Sequence, residues 1–461
     1  MSIQARPPIS EPNRDMNDSH SRIGPAIAVA LFAAVLGARF FLIIRKYSVN
    51  IFFSDQWDYL IPFFQHKATV SNLFRWEHAP HREGVGLLPD KFLYPLTHWD
   101  ARVDSYLIGG AIFIAMLLAL RLKYRLFGSL SYSDVAIPVI FLTMEQHETL
   151  LAAPNPAHSG FPLLLIILYC LAILVRNRLL RYAIVLSLNF LLIYTGFGIF
   201  MAAITIGFFF LECYRSARNM TSVPFLQAFI GLFLATASLA SFFFLYIFQS
   251  AAGCFELPHN NWLNYPQFMG LLLSAFVVPR PLTLSMEIIV LGAGILLLMV
   301  VVLCWHLLHL LKSPLPETHL IGGVLIGFSL LFAATNAVGR QCLGPEQPFS
   351  SRYSTLLIPA FLGIYFFLLS KAWFGMRNLV LALWVILLLP SSLVIPVTEI
   401  NWYSGGKSRW ADCYRHTSNV RYCDEFSHFV IYPSPAATHL QEKLDYLKQN
   451  HLNLFADPAP K

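Results

Sequence analysis

The stretch NLFRWEHAPHREGVG, residues 72–86, gathers Glu77, His78, His81, Arg82 and Glu83 in a chain that is only 12% charged. Glu77, His78 and His81 are metal-ligand types, but Pro80 between them favours a loop, so their spacing specifies no metal. Arg82 carries a planar fork that matches phosphate oxygens. Just upstream, SDQWDYL sets Asp55 and Asp58 three apart, on one face of a helical turn. Trp57, Leu60, Ile61 and Phe64 occupy the opposite face, and Pro62 limits the helix to its first turns. Such a segment lies along a membrane interface with its carboxylates toward a cavity. Either carboxylate there acts as a general base or holds a divalent cation. The competing readings are an N-cap aspartate on a short surface helix and a solvated loop.

Three further constellations carry polar chemistry. TMEQHETLLAAPNPAHSG places Glu145, Gln146, His147 and Glu148 at the end of an apolar run. Unpaired charges at membrane depth cost several kcal/mol, so these groups must pair or line a wet cavity, or else sit at the interface. VGRQCLGPEQPFSSRYSTLL brackets a short loop with Arg340 and Arg352, next to Ser350, Ser351 and Tyr353. The two arginines suit a lipid phosphate, or equally snorkel to headgroups. ELPHNNWLNYPQF offers His259, Asn260, Asn261 and Trp262, a set that suits a sugar face or an interfacial aromatic belt. GxxxxGK[ST], GxGxxG at a strand-to-helix turn and HExxH do not occur, so nucleotide hydrolysis, dinucleotide binding and zinc proteolysis lose their usual handles.

The elements that must position these groups follow from composition. The chain has 461 residues, 56% of them hydrophobic, whereas a soluble domain carries about 25% charged residues. Apolar runs near 23–44, 106–120, 135–152, 161–175, 182–195, 197–212, 224–248, 283–308, 318–338, 354–370 and 378–396 predict an all-α membrane protein with about 11 crossings. Gly196 and Gly198 mark a bend between two short crossings. The net charge of +7 sits at helix ends and calls for no nucleic acid. Basic residues in the short loops place the N-terminus in the cytoplasm and the C-terminus outside, with Arg45 and Lys46 as exceptions.

This topology divides the chain into a disordered cytoplasmic tail at 1–22, a transmembrane domain at 23–396 and an exterior tail at 397–461. The first segment is a retained helix, not a signal peptide. Long exterior loops run over 45–105 and 249–282. The tail ends in an amphipathic helix striped by Leu440, Leu444 and Leu447. Cys413 and Cys423 bridge if the exterior is oxidising, and otherwise stay as free thiols.

SDQWDYL after the first helix, EHAPHREG beyond it, QHETLLAAPNPAHSG, GRQCLGPEQPFSSRYS and LDYLKQNHLNLF together resemble the GT-C glycosyltransferase superfamily, in a subgroup of bacterial polytopic proteins. The resemblance implies a bacterial inner-membrane enzyme that takes sugar from a polyprenyl-phosphate donor to a glycan or lipid acceptor. It also implies a general base or cation ligand at Asp55, with Asp58 beside it, and a phosphate contact at Arg352. Glu77, His78, His81, Arg82, Glu145, His147, Glu148, Arg340 and Tyr353 would complete the substrate site. The Arg of the Glu-His-Arg pattern is displaced here to Arg82, and Glu148-Thr149 replaces a Glu-Asn pair. A transporter or flippase and a non-catalytic assembly protein are the rival classes.

Overall fold

A computed structural model describes residues 14–78, 80–248, 257, 259–280, 282–310, 317–371 and 376–456, with the side chains of 14–22 left out of the description. Helices follow one another almost without interruption. They are α1 (Arg14–Tyr47), α2 (Gln56–Tyr59), α3 (Ile61–Phe64), α4 (Val70–Arg75), α5 (Gly84–Leu96), α6 (Arg102–Phe127), α7 (Ala136–Phe141), α8 (Gly160–Ile173), α9 (Arg178–Ile193) and α10 (Phe200–Arg218). The chain continues with α11 (Ser222–Phe243), α12 (Asn264–Val277), α13 (Met286–Leu310), α14 (Glu317–Arg340), α15 (Ile358–Ser370), α16 (Arg377–Leu393), α17 (Val397–Thr417), α18 (Val420–Ser427) and α19 (Leu440–Gln449). Among the described residues the only strands are β1 (Glu77–His78) and β2 (His81–Arg82), an antiparallel hairpin.

Among the described residues eight helical units are long and apolar enough to cross a membrane, as in a multi-pass membrane protein. They begin at Ile23, Arg102, Gly196, Ser222, Met286, Glu317, Ser351 and Arg377. Lipid-facing stripes are visible on them. Phe225, Phe229 and Phe233 on α11, and Val290, Leu297, Val301 and Leu308 on α13, are exposed large hydrophobics at helical spacing. Of the remaining expected crossings, α8 and α9 are shorter, with 14 and 16 residues. Helix α1 starts at Arg14, nine residues before the expected boundary at Ile23, and residues 1–13 lie outside the described chain.

The apolar run at 135–152 is not one helix. Helix α7 stops at Phe141, a 3-10 turn covers Met144–Gln146 and a π turn covers Glu148–Ala152. Side chains replace the helical ladder there. The Gln146 amide donates to Phe141 O (2.7 Å) and Thr143 O (3.0 Å), and Thr143 Oγ1 accepts from Glu145 N (3.2 Å). Lys407, 2% exposed, caps the end of the π turn through Leu151 O (2.6 Å) and Ala152 O (2.9 Å).

Two large cores, with two small clusters beside them, hold the described residues together. The larger packs the long helices, with Phe40, Ile112, Phe141, Tyr169, Phe209, Phe328 and Phe361 buried in it. The second joins the loop after α1 to the chain beyond α16. Ile51, Phe52, Trp57, Leu87 and Tyr94 meet Trp410, Tyr414, Phe429, Leu440, Leu444 and Leu447 in one cluster. Burying each leucine of that α19 stripe contributes about 2 kcal/mol. Backbone and amide bonds add register: Ser54 N donates to Ile431 O (3.0 Å), Asn50 Nδ2 to Asn453 O (2.9 Å) and Asn453 N to His98 O (2.8 Å). Segments 355 to 403 residues apart in sequence therefore fold as one module. A Cys413–Cys423 disulfide pins the turn between α17 and α18.

Candidate functional site

The β1–β2 hairpin places Glu77 opposite Arg82 and His78 opposite His81. Arg82 is 3% exposed and bonded on several sides. Its Nη2 lies 2.7 Å from Glu77 Oε1 and donates to Phe244 O (2.8 Å), while Nη1 reaches Ser241 O (3.4 Å). The rings of Phe242 and Tyr246 flank it. Arg82 and Glu77 thus clamp the hairpin to the end of α11, and the guanidinium has no open face for a phosphate.

Glu83, unassigned in the sequence reading, is the hub behind the hairpin. It is 0% exposed, with Oε1 3.3 Å from His78 Nδ1 and 2.7 Å from His158 Nε2, while Oε2 accepts from Asn155 Nδ2 (2.8 Å). Burial alone would raise this carboxyl, but the charge and hydrogen bond of His158 and those of His78 hold it well below the usual range. Burial would depress His78, yet the hydrogen bond and charge of Glu83, with Asp55 and Asp58 farther off, push it up to about 9. His78 is therefore a cation at neutral pH. His81 is pushed well down by burial and by His158, and its ring packs edge-on against His158 with centroids 4.9 Å apart.

The turn between α9 and α10 closes over these rings. Gly196 has φ +62, and a Cβ there would stand 2.6 Å from His158 Cδ2. Only glycine meets both conditions at low cost. The expected bend at Gly196 is the wall of the histidine cluster.

A second group faces the first. Glu148 Oε2 accepts from Arg352 N (3.0 Å) and bonds Ser350 Oγ, while Oε1 accepts from Tyr403 OH (2.9 Å). Arg352 Nε donates to Ser350 Oγ (2.9 Å) and stands 4.0 Å from Glu148. The Arg352 side chain remains 46% exposed, yet Asp55, Glu148, Tyr353 and Tyr403 all lie within its electrostatic reach. Arg340 and Arg352 both rest on the ring of Tyr353, at 5.7 Å and 5.8 Å. Among the described residues the Arg340 guanidinium has no carboxylate and no hydrogen-bond acceptor.

Asp55 is exposed, and among the described residues the one hydrogen bond to its carboxylate comes from Ser54 Oγ (3.3 Å). No cation lies within ion-pair distance of it among the described residues, although Arg352 and His78 feel its charge. Asp58 instead accepts from Tyr432 OH (2.7 Å), a residue of the tail. Lys443 caps Trp57 O at 2.6 Å, and burial lowers its ammonium to about 8 against the pull of Asp58. Among the described residues no three His, Cys, Asp or Glu side chains form a group that could hold a metal ion. Asp55 and Asp58 alone do not fit a divalent cation.

Glu145 and His147 are braces. Both are 0% exposed. Glu145 pairs with Arg280 Nε at 2.9 Å, and His147 Nε2 lies 2.9 Å from Glu399. Arg280 also approaches Glu399 at 3.6 Å, which locks the first turn of α17 to the end of α12. His259 bonds within its own turn, through Asn261 N (3.0 Å), and stays outside the cluster. The beginning of that constellation falls on residues outside the described chain.

Four of the five polar constellations thus converge. No protein-family model, curated protein or solved structure matches this chain. The residues that the sequence reading missed are Glu83, Asn155, His158, Glu399, Tyr403 and Tyr432. Asn155 and His158 stood inside a quoted motif. Glu399, Tyr403 and Tyr432 gave no local signal beyond the polar character of the tail.

Proposed function

We propose that this chain is a membrane glycosyltransferase that moves a sugar from a polyprenyl-phosphate donor to a glycan or lipid acceptor at the outer face of the membrane. One observation carries the reading. Asp55, a carboxylate with no cation at ion-pair distance among the described residues, acts by its charge on Arg352, and Arg352 shares the ring of Tyr353 with Arg340. An unpaired base opposite unsaturated cations suits a reaction in which a hydroxyl loses a proton while a phosphate leaves.

The steps balance with these groups alone. The acceptor oxygen attacks the anomeric carbon as its proton passes to Asp55. The bond from that carbon to the donor phosphate breaks, and the electron pair goes to the polyprenyl phosphate. Arg340 and Arg352 stabilise the charge growing on it. The cationic His78, held by Glu83, feels the charge of Asp55 and adds positive charge to this side of the site. Glu148 and Tyr403 orient Arg352.

The finer topology belongs to the same proposal: about 11 crossings in a bacterial inner membrane, cytoplasmic N-terminus, exterior tail. The Cys413–Cys423 disulfide and the disulfide at Cys342 lie on the side assigned to the oxidising exterior. Cys213 and Cys304, near the opposite helix ends, are free thiols.

The test is transfer in liposomes supplied with labelled polyprenyl-phosphate sugars and an envelope-lipid extract as acceptor. Wild type is expected to move label to the acceptor. Arg340→Gln and Arg352→Gln are each expected to raise the donor KM by about tenfold, the weight of one charged hydrogen bond. Label that crosses the bilayer still attached to its lipid makes the protein a flippase and overturns the proposal.

A further inference from the structure

Behind the Asp55 turn lies a pair of carboxyls that the transfer reaction does not use. Asp90, in the middle of α5, and Asp104, in the first turn of α6, are both 0% exposed. Their side chains meet within hydrogen-bonding reach. No Arg, Lys or His contacts either one among the described residues. Asp104 Oδ2 accepts from Tyr94 OH (2.7 Å) and, at 3.4 Å, from Gln56 Nε2. Asp104 Oδ1 and both oxygens of Asp90 are buried with no donor, and Tyr59 OH, 1% exposed, points toward Asp90. Tyr59 and Tyr94, which reach the pair, belong to the same buried apolar cluster as Phe52, Trp57 and Leu87.

Two adjacent carboxylates without a counter-ion cannot both ionise in such a place, because desolvation and mutual repulsion act together. We propose that Asp90 and Asp104 share one proton in the native fold and, so loaded, position the turn that carries Asp55. The link is Gln56. Its amide donates to Asp104 and to Pro154 O (3.0 Å), and its Oε1 accepts from Phe53 N (3.1 Å). One side chain therefore joins the acid pair to the backbone beside Asp55 and to the segment that carries Asn155, the partner of Glu83. The proton supplies the donor that Asp90 and Asp104 lack between them. Asp90 and Asp104 are positioning residues, and the inference holds whether or not the transfer reaction does.

The charged and titratable groups around the pair are Tyr59 from α2, Tyr94 from α5 and Asp100 from the turn before α6, with Glu83, the residue before α5, acting on Tyr59. Tyr59 and Tyr94 stay protonated, since burial raises both well above the usual phenol range. Asp100 adds negative charge beside Asp104, which favours retention of the shared proton. Burial and Asp104 also raise Asp90 well above the usual carboxylate range. A folded value above the unfolded one means that stability is full below the unfolded value and is lost as pH rises through the folded one.

The full chain in detergent, as wild type, Asp90→Asn and Asp104→Asn, is tested by infrared spectroscopy and thermal melting. An amide reproduces the neutral acid without its titration. The C=O band of a protonated carboxyl is expected in wild type and reduced in each variant. The midpoint of Asp90→Asn is expected to match wild type near pH 5 and to exceed it by several degrees near pH 8. Parallel melting curves, or an unchanged infrared band, overturn the inference. So does a wild-type midpoint that rises with calcium or magnesium and falls with a chelator, which assigns the pair to a cation. Failure of both amides to fold overturns it as well, because neutral side chains should be accepted.

Discussion

Glu83 and His78 form the pair at the centre of the histidine cluster. The carboxylate is buried and its partners are two histidines and an amide. Removal of one member of a buried pair costs about 3–5 kcal/mol, so Glu83→Gln is expected to lower the melting midpoint by several degrees. The pH dependence follows from the two shifts. His78 is raised from 6.5 to about 9, so its contribution is full below the unfolded value and is lost as pH climbs through about 9. Glu83 is lowered, so its contribution holds above its unfolded value and fails as pH falls through the folded one. Wild type is expected to lose stability between about pH 6.5 and 9, and His78→Gln to lose less over that window. Thermal melts across pH check this, and identical slopes contradict it. Residue types alone flagged His78, Asp55, Arg340 and Arg352, because a charge in an apolar chain stands out. They could not separate Arg82, which is spent on a clamp, from Arg340, which is not, since that difference lies in partners from α11.

At the scale of elements, apolar length was readable and apolar continuity was not. Long helices such as α6, α10, α13 and α14 follow directly from runs of about 20 apolar residues. The run at 135–152 has the same composition but breaks, because Thr143, Gln146 and Lys407 take over backbone bonds that a helix would make itself. Composition does not reveal that competition, and Lys407 lies about 255 residues away in sequence. The hairpin at Glu77–Arg82 follows the same logic: Pro80 spoke against a helix, and two short strands formed in its place. The bend at Gly196 was legible from its glycines, and its task against His158 was not. Gly196→Ala is expected to cost about 1–3 kcal/mol through its positive φ and to displace His158. A fall in midpoint with an altered His158 resonance checks this. An unperturbed resonance would show that the turn does not form the wall.

On the scale of the whole molecule, the loop after α1 and the tail are halves of one module. The sequence marked each as polar and separate, since nothing local says that Trp57 packs with Trp410 or that Tyr432 reaches Asp58. Such pairings are long-range and leave no periodicity. The stripe of Leu440, Leu444 and Leu447 was visible, and the surface it covers was not. Truncation after Pro396 is therefore expected to expose the loop over 49–101 to protease and to abolish transfer. A loop that stays protected would contradict the shared core. Loss of the Cys413–Cys423 bridge is expected to cost about 2–3 kcal/mol within this module.

The most direct measurement is the liposome transfer rate of Asp55→Asn against wild type, with donor binding and melting midpoint recorded on the same preparations. Loss of a positioned base is expected to cut transfer by about a hundredfold or more. Donor binding and midpoint should stay near wild type, because among the described residues the Asp55 carboxylate accepts a hydrogen bond from Ser54 alone. Transfer within a few-fold of wild type would remove Asp55 as the base and, with it, the central claim.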